Sequence, residues 1–199
     1  MKEKIKNIVS KINVKYLFVL LPAILIVLLL IISSIFGTIK EKEIKKEEAK
    51  EIIYKTKDNK VSYTFKETFK QSEVGEYDLY VKDEKRQMIM GVFTYNLSDY
   101  EENSAKEVLN NQIEYFKKTR NDMKIYKNEE IQDLSDKIIT KIEYSGKSTD
   151  SSDCIYIFSV TEFKNAQGYV LYSNQVLLKS DYENNAEELN NILKSAKLE

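Results

Sequence analysis

The apolar positions of this chain follow three patterns in turn, and the first is unbroken. From Tyr16 to Ile39 no side chain is charged, and Leu20 to Ile32 is apolar on every side. As a helix this run would be roughly 36 Å long, enough for a hydrocarbon core of about 30 Å. A buried core helix would keep a polar face, and this run has none. It predicts a transmembrane helix over residues 16–39, with Pro22 early in the span, where a mild kink is tolerated. A cleaved signal peptide is the rival reading, since Ser33, Ser34 and Gly37 are small residues near the outer end. Against it, signal peptides carry an apolar region of about 7 to 15 residues, and no clean small-x-small site precedes Lys40.

The second pattern is a charged one. Residues 40–51 hold five Lys and five Glu, with Glu41 to Lys45, Glu43 to Lys46 and Glu47 to Lys50 spaced as neighbours on a helix. A solvated helical stalk is predicted there. Ile44, Ala49 and Ile52 are too few for a coiled-coil seam.

Beyond the stalk, residues 52–199 read as one α+β domain. Val61, Tyr63 and Phe65 alternate with polar residues, the period of a half-buried strand. Phe69 to Gly75 reads as a turn. Tyr77 to Val81 and Gln87 to Asn96 then form a hairpin across Asp83-Glu84-Lys85, with Gly91 marking a bulge or the close approach of a helix. Ser104-Ala-Lys-Glu107 has capping-box spacing and opens a helix with Leu109, Ile113 and Phe116 on one face, ending near Arg120. Strands follow at Asp136 to Tyr144, Cys154 to Glu162 and Tyr169 to Leu178. Gly146 to Asp153 and Asn165 to Gly168 are their loops. Asn185-Ala-Glu-Glu188 repeats the capping arrangement ahead of the stripe Leu189, Ile192, Leu193 and Ala196. The whole describes an N-terminal transmembrane helix followed by an antiparallel sheet covered by helices.

Charge sets the orientation and narrows the partners. Lys2, Lys4, Lys6, Lys11 and Lys15 precede the span against Glu3 alone, which places residues 1–15 in the cytoplasm and the domain outside. The chain has net charge −1, and removing the +4 of residues 1–15 leaves −5 on the remainder. That balance argues against nucleic acid and phosphate-rich wall polymers, which need a basic surface. With 42% apolar and 32% charged residues the composition is that of a folded protein. Cys154 is the single Cys, so the domain has no internal disulfide; it falls in an apolar alternation with Tyr156, Phe158 and Val160 that marks a buried structural thiol. An outward-facing domain without disulfides, rich in Lys, Ile, Asn and Tyr, fits the envelope of a Gram-positive bacterium.

The order of elements, together with the ending Asn191-Ile-Leu-Lys-Ser-Ala-Lys197, resembles the PsbP-like domains, α/β/α sandwiches found in photosynthetic accessory subunits and bacterial envelope proteins. The likeness covers most of residues 60–199. It departs from that family in lacking the Pro and Trp often seen after the first strand, since Pro22 is the only Pro and there is no Trp. The resemblance implies a binding or assembly module with no common catalytic apparatus, and it transfers no site residues.

The residue inventory excludes much chemistry. Without His, Ser-His-Asp and Cys-His catalysis and His-containing zinc sites are impossible, and one Cys removes thiolate clusters. No Ser precedes a Lys by three positions, and five scattered Gly offer no phosphate-cradling loop. No catalytic, cofactor-binding or metal residue is assigned. Paired carboxylates remain able to hydrolyse a glycosidic bond. Asp150, Asp153 and Glu162 are examples, read here as solvated charges, and Ser148 to Asp153 lacks the order of a calcium loop. Of the 14 Tyr, Tyr63, Tyr77, Tyr144, Tyr156 and Tyr172 lie in strands and read as packing rather than interface. The expectation is a membrane-anchored extracytoplasmic interaction module that binds a protein partner and is not an enzyme. The alternatives are a membrane-tethered carboxylate hydrolase and a structural subunit of a membrane complex. An interaction module would expose a contiguous apolar or aromatic patch, whereas a hydrolase would need two close carboxylates in one concave pocket.

Overall fold

The computed structural model describes residues 50–99, 103–120 and 122–199. The predicted basic N-terminus, the membrane span and residues 40–49 of the stalk lie outside the described residues. Among the described residues no helix is long and apolar enough to cross a membrane.

The chain runs β1 (Glu51–Lys55), β2 (Val61–Lys66), β3 (Lys70–Gln71), β4 (Leu79–Asp83), β5 (Met88–Asn96), α1 (Ala105–Thr119), β6 (Lys124–Asp133), β7 (Lys137–Lys147), β8 (Asp153–Phe163), β9 (Tyr169–Leu178), α2 (Tyr182–Lys194) and β10 (Lys197–Leu198). The main sheet has the order β3-β4-β5-β9-β8-β7-β6, and β1-β2-β10 forms a small second sheet; all pairs are antiparallel.

Strand β8 shows how the layers arise. Its run Cys154 to Thr161 is buried without a break, because both faces of the sheet are covered there. Ile155, Ile157 and Phe163 join a core with Val61, Phe65, Met90, Leu189 and Leu193, between the main sheet and a layer made of α2 and the small sheet. Cys154, Tyr156, Phe158 and Val160 join Val108, Leu109 and Ile113 of α1 on the opposite face. The result is a three-layer α+β sandwich.

Several expectations change in detail. Glu51 is the first residue of β1, and Ile52 packs against the core, so the helical stalk cannot extend through residue 51. Ser104 caps α1 by accepting the Glu107 N–H at 3.2 Å, but Glu107 reaches back to the Asn103 N–H at 2.9 Å, one residue outside the expected box. Helix α2 starts at Tyr182, three residues before Asn185, whose side-chain amide instead donates to the Asp181 carbonyl. Gly146 belongs to β7 rather than to the loop that follows. The turn between β4 and β5 is also tied down: Asp83 is buried and accepts from both the backbone N–H and the guanidinium of Arg86.

Candidate binding site

Helix α1 covers β8 and part of β9 and leaves the β4–β5 end of that sheet face open. Gly91 of β5 pairs with Tyr80 on one side and Asn174 on the other. A Cβ at residue 91 would stand 2.2 Å from Cε1 of Tyr77 and 2.7 Å from Oδ1 of Asn174. The glycine therefore admits neither a bulge nor a helix but the ring of Tyr77, folded in from the loop before β4. Gly75 makes that loop's turn at φ +52°, a left-handed conformation that a side chain would strain. Once in place, Tyr77 lies 4.5 Å from Phe93 and 5.5 Å from Tyr80 between ring centroids, and Phe93 stacks at 6.2 Å on Tyr172. An aromatic ridge thus runs from the edge of the sheet to its buried centre.

The β4–β5 ladder ends at Leu79 and Val92, where the Asp78 N–H makes the last backbone bond, to the Val92 carbonyl at 2.9 Å. The freed edge is closed by a side chain, because Oδ2 of Asp78 accepts the Thr94 N–H at 2.7 Å and the Thr94 hydroxyl at 2.9 Å. Between this edge and α1 lies a groove of about 670 Å³ floored by Phe93, Thr94 and Tyr95. Its far wall is Gln112, whose amide donates to the Tyr95 hydroxyl at 2.9 Å, and Tyr115, which is 67% exposed. Its near wall is Glu76 and Asp78. Among the described residues these two acids are the only ionisable groups besides tyrosine that line it. Tyr115 is hard to single out in the sequence because it falls beside, not on, the stripe of Leu109, Ile113 and Phe116. Gly91 is the legible signal, and its visitor is a tyrosine ring rather than a helix.

A second cleft, of about 310 Å³, opens where α2 meets β6 and β7. The hydroxyl of Tyr182 donates to Glu143 at 2.5 Å and accepts from Lys127 at 2.6 Å. Burial and the bond to Glu143 push the Tyr182 phenol well above its ordinary range. Lys141 stands 3.1 Å from Glu130 and 3.7 Å from Glu143. Three carboxylates, Glu130, Glu143 and Glu187, thus line one pocket, and a hydrolase would require two close together, but a lysine bridges Glu130 and Glu143. The hydrogen bond from Gln132, against the effect of burial, and the ion pair with Lys141 hold the Glu130 carboxyl below its usual range, which disfavours it as a proton donor. The cleft reads as a tie between α2 and the sheet edge.

The acids singled out in the sequence are not brought together. Asp150 is engaged within its own loop by Ser148 and the Ser152 N–H, and Asp153 pairs with Lys147 at 2.8 Å. Glu162 sits nine residues along β8 from Asp153, about 30 Å away on an extended strand. Among the described residues no group of three or more potential metal ligands gathers. Cys154 is buried against the α1 layer, and burial pushes its thiol up. Tyr63, Tyr144, Tyr156 and Tyr172 are core residues, whereas Tyr77 is half-buried, seated over Gly91 and against Phe93.

The solution structure of cyanobacterial PsbP (CyanoP) from Synechocystis sp. PCC 6803 matches with a TM-score of 0.59, over 77% of this chain and 95% of its own, at 13% identity. The fold is PsbP-like. The crystal structure of the Saccharomyces cerevisiae Ran-binding protein Mog1p matches the same PsbP-like unit with a TM-score of 0.52, over 76% of this chain and 96% of its own, at 8% identity. No protein-family model and no curated protein matches the sequence. At these identities the likeness fixes the PsbP-like architecture alone, and the groove stands on its own geometry.

Proposed function

We propose that this chain is a membrane-anchored binding module of the cell envelope, held in the bilayer by residues 16–39 and presenting its PsbP-like domain outside the cell to a protein partner. The observation that carries the reading is the open aromatic face between the loop before β4 and α1. Tyr and Phe there offer stiff apolar area at small entropic cost, as protein-binding surfaces do. The Mog1p neighbour is a Ran-binding protein, which supports the use of this architecture in protein recognition without supplying the partner. No catalysis is assigned, since a bridging lysine ties the cleft that gathers Glu130 and Glu143.

The test is site-specific photo-crosslinking in intact cells of the native host. A photoreactive residue at Tyr115 of the full-length protein is expected to capture one reproducible protein, and the same residue at Ile53, on the far layer, is expected not to. Capture from Ile53 but not from Tyr115 would move the interface elsewhere.

A further inference from the structure

The groove has a chemistry as well as a shape. Its floor and outer wall are aromatic, through Phe93, Tyr95 and Tyr115, and its acidic side chains are Glu76 and Asp78. One oxygen of Asp78 is committed to Thr94, which fixes the carboxylate at the β5 edge without neutralising it. Glu76 is exposed on the loop beside it. Elsewhere on the domain, acids of this kind sit next to basic side chains: Asp83 and Glu188 on Arg86, Glu130 on Lys141, and Asp153 on Lys147. In the groove aromatic faces and carboxylates converge, and among the described residues no Lys or Arg belongs to the lining. An aromatic ring face is electron-rich and attracts a cation laid over it, and a carboxylate alongside adds direct ion pairing.

We propose that the groove takes a cationic side chain, an arginine or lysine carried on an extended segment of a partner protein. The segment lies in the groove between the loop before β4 and α1, its aliphatic stem rests on Phe93 and Tyr95, and its charged head reaches Glu76 and Asp78 beneath Tyr115. The net negative charge of the chain outside residues 1–15 favours a basic partner at longer range as well. Two copies meeting face to face through this groove would bring two acidic walls together, which disfavours that contact. This inference rests on the interaction-module reading and specifies which chemistry that module recognises.

The experiment uses the full-length protein in detergent micelles and two fluorescent peptides of equal length, one containing three arginines and the other three citrullines, which keep the shape and lose the charge. Fluorescence anisotropy is expected to show the arginine peptide binding about tenfold or more tightly than the citrulline peptide, the scale of one partly desolvated cation–aromatic contact with its ion pair. Glu76→Gln and Tyr115→Ala, both at exposed positions, should each weaken arginine-peptide binding while leaving the thermal midpoint unchanged. Equal binding of the two peptides, or arginine binding that ignores both substitutions, overturns the proposal. A change in oligomeric state on Tyr115→Ala, with no peptide binding, also overturns it and makes the groove a self-association surface. If photo-crosslinking at Tyr115 still captures a partner while the arginine peptide fails to bind, the cation specificity falls and the interaction module stands. If neither occurs, both fall.

Discussion

The ring of Tyr77 occupies the space that a side chain at Gly91 would need, with Cε1 only 2.2 Å from where that Cβ would stand. Gly91→Ala therefore has to expel the ring. Tyr77 in its seat links Tyr80 and Phe93 into a ridge, so displacing it costs stability and removes the packing behind Phe93 of the groove floor. We expect Gly91→Ala to destabilise the domain by about 1–3 kcal/mol, as overpacking at a filled site does. A double-mutant cycle by urea denaturation checks the cause: with Tyr77→Ala already present, adding Gly91→Ala should cost much less. Additive penalties would place the strain on the Asn174 side chain, whose Oδ1 stands 2.7 Å from the same Cβ, rather than on the ring.

The β4–β5 turn is held to α2 by charge. Arg86 donates to Asp83 at 2.7 Å and to Glu188 at 2.7 Å, and its guanidinium lies 5.3 Å from the centre of the Phe69 ring. The Asp83 side chain is 1% exposed, so removing Arg86 leaves a buried carboxylate without its cation. Arg86→Met should cost about 3–5 kcal/mol by the same denaturation measurement. Adding Asp83→Asn to that variant should return part of the loss, because the uncompensated charge is then gone.

These two features differ in how far the sequence reveals them. The β-strands β2, β5, β7, β8 and β9 and both helices are legible because their apolar residues repeat at one of the two characteristic spacings. Strand β6 is not: Lys-Ile-Tyr-Lys-Asn-Glu-Glu-Ile-Gln-Asp lies on the sheet edge, is exposed at eight of its ten positions and carries register shifts near Lys127 and Glu130. An edge strand with bulges buries too little to leave a pattern. Strand β1 merges with the charged stalk in the sequence, because Ile52 and Tyr54 are its only inward-facing large residues. The groove itself depends on a loop residue, Tyr77, meeting a strand glycine fourteen positions later, and on Tyr115 across from it. No local spacing encodes that meeting; only the otherwise unexplained Gly91 hints at it.

The response to pH should follow from groups held away from their ordinary ranges. Burial pushes up the phenols of Tyr63, Tyr172 and Tyr182. A raised acid group contributes stability that is complete below its unfolded value of about 10 and is lost as pH rises beyond it. Burial would also raise Asp83 and Glu188, but hydrogen bonds from Thr68 and Arg86 to Asp83, and from Arg86 and Lys66 to Glu188, outweigh it and hold both low. Their contribution is present above about pH 4 and fades as pH falls through the depressed values. With no His in the chain, urea midpoints should be flat from about pH 5 to 8 and decline on both sides. A step near pH 6.5 would reveal a further titrating group, with a carboxyl or amine displaced far from its ordinary range.

The single cysteine makes the orientation of the domain testable without altering the core. Cys154 is 4% exposed and packed against the α1 layer, where both access and thiolate formation are suppressed. The native protein should therefore stay unlabelled by a membrane-impermeant maleimide in intact cells and react only after denaturation. Ile131, 64% exposed on the edge strand β6, offers a site whose substitution disturbs little packing. If the positive flank of residues 1–15 sets the topology, Ile131→Cys should label in intact cells as fully as after lysis. Labelling that appears only after lysis would put the groove, and any partner it holds, on the cytoplasmic side and remove the envelope from the proposed function.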